Sequence, residues 1–200
     1  MDLSKKILLA TTNKGKIKEI KQILEGVDIL TLLDLAQTSF EVEENGRTFK
    51  DNALIKAKAY AEKFNHATLA DDSGLEVDAL SGRPGVQSAR YAGVDASDAE
   101  RVKKLLVELE SVPYAKRTAR FKCVICVYDP FSKTNIFSEG VCQGHIGTIS
   151  SGANGFGYDP IFIPEGFECT MAELLPEQKN KISHRGRALR ALKEKILHSK

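Results

Sequence analysis

The chain has 200 residues, 42% of them hydrophobic and 28% charged, with a formal net charge of +2. That is the composition of a globular domain large enough to bury its own core, and so balanced a charge gives no reason to expect a nucleic-acid partner. No apolar run approaches the ~20 residues that cross a bilayer, and the charged start Met1-Asp2-Leu3-Ser4-Lys5-Lys6 lacks the apolar stretch of a secretion signal, so the expectations are no membrane and a cytoplasmic location.

Lys6-Ile7-Leu8-Leu9-Ala10 reads as a first buried strand, followed by the polar loop Thr11-Thr12-Asn13-Lys14-Gly15-Lys16. Ile17, Ile20, Ile23 and Leu24 then recur at helical spacing, with Gly26 as the stop. Asp28 to Leu33 is a candidate second strand, and Glu41-Val42-Glu43-Glu44-Asn45-Gly46 is an acidic loop. Thr48 with Asp51 forms a capping-box pattern for a helix through about Phe64, with Ala53, Ala57, Ala61 and Phe64 facing inward. Ala67-Thr68-Leu69-Ala70 is a short, apolar, β-compatible run with Asp71-Asp72 at its end; Gly74 breaks it, and Leu75 to Leu80 resumes an alternating pattern. Ser81-Gly82-Arg83-Pro84-Gly85 is a turn. Ser97 and Glu100 form a second capping box, opening a helix with Val102, Leu105, Leu106 and Leu109 inward. Arg117 to Tyr128 is the longest strand candidate, and Thr134 to Ile146 returns antiparallel to it. Gly152 to Asp159 is a glycine-rich loop. Thr170 with Glu173 marks a short helix, and Ser183 caps a last one carrying Leu189, Leu192 and Ile196.

Helices mixed with parallel and antiparallel strand candidates indicate an α/β fold. With no linker or repeat, residues 1–200 read as one domain. Cys123 and Cys126 form a C-x-x-C, but side chains three apart on a strand point to opposite faces, and no second pair follows at zinc-ribbon spacing. Together with Cys142 and Cys169 they read as free thiols acting as small hydrophobes.

Four constellations can carry chemistry, and each has a plain alternative. Adjacent carboxylates such as Asp71-Asp72 repel each other and resist burial unless a cation or a substrate proton offsets the cost; the alternative is a solvated turn. With Glu43 and Glu44 they could hold Mg2+, which prefers oxygen ligands, or form a solvated acidic face. Residues 11–16 precede a helix whose first N–H groups attract anions, with Thr11 and Asn13 adding hydrogen bonds and Lys14 and Lys16 adding charge; the alternative is an ordinary cap, and the Walker A pattern is absent. In Gly155-Phe156-Gly157-Tyr158-Asp159-Pro160 the glycines admit a planar ligand, Phe156 or Tyr158 can stack on a base and Asp159 can accept a base N–H; the alternative is a tight turn with core aromatics. Lys179 with Ser183-His184-Arg185-Gly186 is a cationic group suited to an anionic or carbonyl-rich ligand, or a solvated helix start. Together the four describe a nucleoside triphosphate site.

The set Thr11-x-Asn13-x-x-Lys16, Ala70-Asp71-Asp72-Ser73-Gly74, Ser88-Ala89-Arg90-Tyr91-Ala92-Gly93, Gly155-Phe156-Gly157-Tyr158-Asp159-Pro160 and Ser183-His184-Arg185-Gly186 resembles, in this order, the inosine triphosphate pyrophosphatase family, also called noncanonical purine NTP or dITP/XTP pyrophosphatases. The likeness runs from about Ile7 to Leu192, with one departure: Gln87 stands where a bulkier apolar or aromatic residue is expected. The resemblance implies an elongated α/β protein, with a long mixed sheet and flanking helices forming two lobes around a central cleft, and a homodimer. It implies Mg2+-assisted hydrolysis of purine nucleoside triphosphates (ITP, dITP and XTP) to the monophosphate and pyrophosphate by water attack at the α-phosphorus, clearing deaminated purines from the nucleotide pool. It assigns Thr11, Thr12, Asn13, Lys14, Gly15 and Lys16 to the triphosphate, Glu44 and Asp72 to the metal, and Asp72 to the general base, with Lys16 offsetting phosphate charge. Ser73 falls to substrate contact, and Phe156, Gly157, Tyr158, Asp159, Lys179, His184 and Arg185 to the base pocket.

Purine selection follows from hydrogen-bond chemistry. Hypoxanthine and xanthine carry a 6-oxo group and an N1–H, adenine a 6-amino group and a bare N1. Donors from Lys179 or Arg185 and an acceptor such as Asp159 would be left unpaired by ATP. Guanine shares both features, so its rejection lies at the 2-position. Two rival readings are a related pyrophosphatase acting on modified pyrimidines or methylated nucleotides, and a non-catalytic nucleotide-binding module.

Overall fold

The computed structural model describes residues 6–36, 40 and 42–197, with the side chains of the last two excepted. Six strands form one mixed sheet in the order β2-β1-β3-β4-β5-β6, accompanied by helices along the chain. The chain begins β1 (Ile7–Leu9), α1 (Lys14–Ile23), β2 (Ile29–Thr31), α2 (Phe49–Phe64) and β3 (Thr68–Val77). β1 is parallel to both of its neighbours, with Leu8 opposite Leu30 on β2 and Leu9 opposite Leu69 on β3. In this βαβαβ unit the winding reverses beside β1, and groups at the carboxyl ends of the strands converge at such a point.

Local chemistry explains the helix starts. Asn13 caps α1, its Oδ1 accepting from Lys16 N at 3.0 Å. Thr48 and Asp51 exchange reciprocal bonds of 3.1 and 3.2 Å, so the capping box expected for α2 forms. Ala53, Ala57 and Ala61 are fully buried on that helix as expected, joined by Phe49 and Tyr60, whereas Phe64 is half-buried. The second capping box, between Ser97 and Glu100, opens α3 (Asp98–Glu108). Val102, Leu105 and Leu109 are buried there, and Leu106 half-buried.

β3 departs from expectation. Asp71-Asp72-Ser73-Gly74 does not end a strand; it lies inside one of ten residues. Asp, Ser and Gly favour turns in isolation, but β3 starts beside β1, at Thr68 and Leu69, and neighbours β4 (Thr118–Asp129) on its other edge, and sheet pairing overrides local preference. β5 (Thr134–Ile146) has the expected bounds, and only four residues separate it from β4, too few for a parallel crossover.

Further along, β6 (Phe162–Pro164) pairs antiparallel with β5; three residues are too few for periodicity to reveal. Thr170 and Glu173 make a turn, in which Glu173 accepts from Thr170 N at 2.7 Å, not a helix. The next helix, α4 (Pro176–Ile182), starts on a proline, tolerated there because the first turn lacks acceptors for its N–H groups anyway. α5 (His184–Leu197) follows directly after Ser183; the side chain of Ile196, and Glu41 of the acidic loop, lie outside what is described.

The chain forms two compact units. One comprises residues up to Asp72, Cys123–Gly140 and Arg185 onward, and has a core that includes Ile7, Leu9, Ile20, Leu69, Ile125, Val127, Leu189 and Leu192. The other comprises Ser73–Lys122 and Val141–His184, around Leu75, Val77, Leu105, Leu109, Phe121, Ile146, Phe162 and Met171. Each fully buried Leu or Ile contributes about 1.5–3 kcal/mol. All four cysteines are free, Cys169 half-buried and the others buried. Gln87 is exposed, so a polar side chain costs nothing there. Among the described residues no helix is long and apolar enough to cross a membrane.

Candidate active site

In the first unit β1 ends opposite Leu69 while β3 runs on. Lys16, in the first turn of α1, therefore reaches β3: its Nζ lies 2.5 Å from Asp71 Oδ1 and 3.3 Å from the Asp71 carbonyl. Strand alternation sends Asp71 and Asp72 to opposite faces, and the two acids meet opposite environments.

Asp71 is fully buried and accepts from Arg185 Nε at 2.8 Å, Arg185 Nη2 at 3.4 Å, Lys16 Nζ and the Cys123 thiol at 3.1 Å. Burial by itself would raise its pKa, but the Arg185 and Lys16 charges outweigh burial and hold the carboxyl well below its ordinary 3.8. Arg185 is itself 2% exposed and bonds Glu19 Oε2 at 2.6 Å. Burial opposes its charge, yet the two carboxylates raise its pKa. Burial and Asp71 push the Cys123 thiol well up, so it remains a protonated donor.

Asp72 faces the reverse balance. Burial raises its pKa to about 6, Lys56 and Lys16 oppose the rise, and Glu44 and Asp71 add to it. Its Oδ2 is buried with no hydrogen-bond partner. Lys56 Nζ is 2.9 Å from Glu44 Oε2 and 3.4 Å from the Asp71 carbonyl. The Glu44 loop is tied down by Asn52, which is 1% exposed and accepts from Gly46 N at 2.8 Å. Asn52 and Lys56 are four apart on α2 and share a face. A Cβ on Gly46 would lie 2.6 Å from Asn52 Oδ1 and 2.7 Å from Asp51 Cβ. Gly46→Ala should therefore cost about 1–3 kcal/mol, measured by urea unfolding; an unchanged midpoint would mean the loop is not held in this way.

In the second unit the Phe156 loop is built on left-handed glycines, Gly155 at φ +78° and Gly157 at φ +66°. A side chain on Gly155 would collide with the Asp159 carboxylate. Asp159 Oδ2 accepts from Phe156 N at 2.8 Å and from Lys179 Nζ at 2.6 Å, and both charged groups are buried. Lys179 Nζ also lies 4.9 Å from the centroid of the Phe156 ring. Tyr158 is buried and donates to the Ser88 carbonyl at 2.9 Å; burial raises its pKa, so it stays a phenol. His184 stacks on Phe121, centroids 4.7 Å apart and rings 13° from parallel. Gly157 N donates to Asp98 Oδ2 at 2.6 Å.

The site residues expected from sequence thus fall into two groups. Lys16, Glu44, Asp71 and Asp72 gather in the first unit, beside Thr11, Thr12, Asn13, Lys14 and Gly15 of the α1 start; of these Thr12, Asn13 and Lys14 are exposed. Phe156, Gly157, Tyr158, Asp159 and Lys179 gather in the second, where Ser73 is half-buried and His184 packs on Phe121. The Arg185 guanidinium is engaged by Asp71 and Glu19 within the first unit. Lys56, Asn52, Glu19, Cys123 and Asp98 did not emerge from the sequence. For Asn52 and Lys56 a signal existed, their common face on a securely capped helix; for the others contact across the fold is the only sign.

The model of the Ham1 family matches residues 7–195. The chain belongs to the Ham1 family. The dITP/XTP pyrophosphatase of Oceanobacillus iheyensis is 51% identical to it over 197 residues, 98% of this chain and 99% of that protein. The dITP/XTP pyrophosphatase of Bacillus subtilis is 47% identical over 194 residues, 96% and 97% of the two. The structure of the Staphylococcus aureus Ham1 protein matches with a TM-score of 0.86 at 42% identity, covering 98% of this chain and all of that one. All the motifs that carry the resemblance lie within the span matched by the Ham1 family model.

Proposed function

We propose that this chain hydrolyses deaminated purine nucleoside triphosphates (dITP, ITP and XTP) to the monophosphate and pyrophosphate, with Mg2+ as cofactor. The names of its Ham1-family relatives support the substrate class. The observation that carries the chemistry is the Asp71–Asp72 pair: one carboxylate locked in its charged form by cations, the next with its pKa raised to about 6 and one oxygen without a partner. A buried carboxylate oxygen without a partner readily takes up a cation or a proton.

The residues fit a magnesium ion. Among the described residues no three His, Cys, Asp or Glu side chains gather as ligands, and magnesium needs only one or two carboxylates beside phosphate and water. Glu44 and the open Oδ2 of Asp72 would hold it. When bound it supplies charge neutralisation at the phosphates. The N–H groups of Lys14 and Gly15, which have no acceptor within α1, bind phosphate oxygens, and Lys16 adds charge. Asp72 orients the water and takes its proton as the oxygen bonds to the α-phosphorus and the bond to pyrophosphate breaks. Positioning and charge carry most of the acceleration in such a transfer.

For the base, Phe156 offers a stacking face, Lys179 a donor towards O6 and Asp159 an acceptor, an assignment supported by their mutual contacts. The reading includes a cytoplasmic homodimer, supported by the family resemblance. The test is pyrophosphate release from dITP, XTP, GTP, ATP, a modified pyrimidine and a methylated nucleotide. Strong preference for dITP and XTP, abolished by EDTA and restored by Mg2+, is expected. Equal turnover of all six would end the reading, and absence of any turnover would favour a binding module.

A further inference from the structure

Three polar groups of the Phe156 loop are tied to three different places. Phe156 N goes to Asp159, the Tyr158 hydroxyl goes to the Ser88 carbonyl, and Gly157 N goes to Asp98. The third tie belongs to no motif discussed above. Asp98 lies 59 residues from Gly157, in the first turn of α3. Its other oxygen, Oδ1, is ion-paired with Arg101, and Arg101 is fixed in turn by the carbonyls of Ala89, at 2.9 Å, and Ala96. Ser88-Ala89-Arg90-Tyr91 thereby acquires a use: two of its carbonyls brace the Phe156 loop, one through Tyr158 and one through Arg101 and Asp98.

α3 does not need Asp98 in order to start. Ser97 N bonds Glu100 Oε2 at 2.7 Å and Glu100 N bonds Ser97 Oγ at 3.3 Å, which completes the cap. The Asp98 carboxylate is directed instead at the peptide that follows Phe156. With glycines on both sides of Phe156, that stretch has wide conformational freedom unless something holds it. A carboxylate accepting a backbone N–H makes a bond roughly twice as strong as a neutral pair.

We propose that Asp98 is a positioning residue for purine selection: by holding Gly157 it sets the plane of the Phe156 ring against Lys179 and Asp159. The inference rests on the reading of Phe156, Asp159 and Lys179 as the purine pocket. Asp98 acts through Gly157 and is not a catalytic residue. Purines differ at atoms on the ring edge, so a stacking face free to tilt lets donor and acceptor miss those atoms, and discrimination falls before turnover does.

The test compares kcat and KM for dITP, XTP and dGTP in Asp98→Ala, Asp98→Asn, Arg101→Lys and Phe156→Ala, with thermal melting of each. Asp98→Ala should raise KM for dITP and XTP about tenfold, the effect of losing one charge-assisted bond, change kcat far less, and narrow the preference over dGTP. Asp98→Asn, which keeps an acceptor, should fall between Ala and wild type, and serves alone if the alanine variant does not fold. Equal losses of kcat/KM for all three nucleotides, or no change, overturn the inference while Phe156→Ala still loses selectivity. If Phe156→Ala also leaves KM and selectivity unchanged, the purine-pocket reading itself has failed and the role of Asp98 falls with it.

Discussion

Asp72→Asn should lower pyrophosphate release from dITP by about 10²–10⁴-fold, the usual worth of a general base, and should at the same time make the metal-free protein more stable. The two effects have one cause. Asp72 is buried with an oxygen that no protein donor reaches, and its pKa is raised from 3.8 to about 6. The folded state thus holds this proton more tightly than the unfolded chain does. Below pH 3.8 both states keep it and stability is unaffected. Between pH 3.8 and 6 stability falls as pH rises, and above pH 6 the full cost of ionisation, about 3 kcal/mol, is present. Asparagine removes that cost. Urea unfolding in EDTA should show a gain of up to about 3 kcal/mol at pH 8 that shrinks towards pH 4. A variant as active as wild type would remove Asp72 from the base role, and one no more stable at pH 8 would mean its burial is not the source of the shift.

Asp71→Asn should do the reverse. Here the carboxylate is the partner that makes a buried Arg185 and the Lys16 ammonium tolerable. Removing one member of a buried pair leaves charge uncompensated, at a cost of about 3–5 kcal/mol. Because the Asp71 pKa is held well below 3.8, its stabilisation is complete above that pH and disappears only as pH falls through the lower folded value. The gap between wild type and Asp71→Asn should stay constant from pH 8 to pH 5 and close only in strong acid. Urea midpoints across that range provide the measurement; a loss under about 1 kcal/mol at pH 7 would show that the Arg185 site tolerates an unpaired cation. Arg185→Met should be destabilising in the same sense, leaving Asp71 and Glu19 facing each other's charge without it.

The contrast between these neighbours shows where sequence reasoning stops. In the sequence the doublet stands out as two like charges next to a buried run. Gly74 reads as a break in the sequence, whereas in the structure the strand is continuous and its alternation sends Asp71 and Asp72 to opposite faces. Arg185 stands beside His184 in the chain and meets Asp71 across 114 positions. A charged side chain that long is placed by whichever counter-charge the fold brings within reach, and nothing within a few residues of it announces Glu19 or Asp71.

Sequence alone determined what depends on neighbours along the chain. Both capping boxes, the apolar periodicity of α2 and α3, the limits of β5 and the glycine-rich loop around Phe156 are legible in residue types a few positions apart. Tertiary structure decided the continuity of β3, the charge states of Asp71 and Asp72, and the anchoring of Gly157 by Asp98. Those depend on desolvation and on charges brought together by sheet pairing and packing, and such energies exist only once distant segments have met.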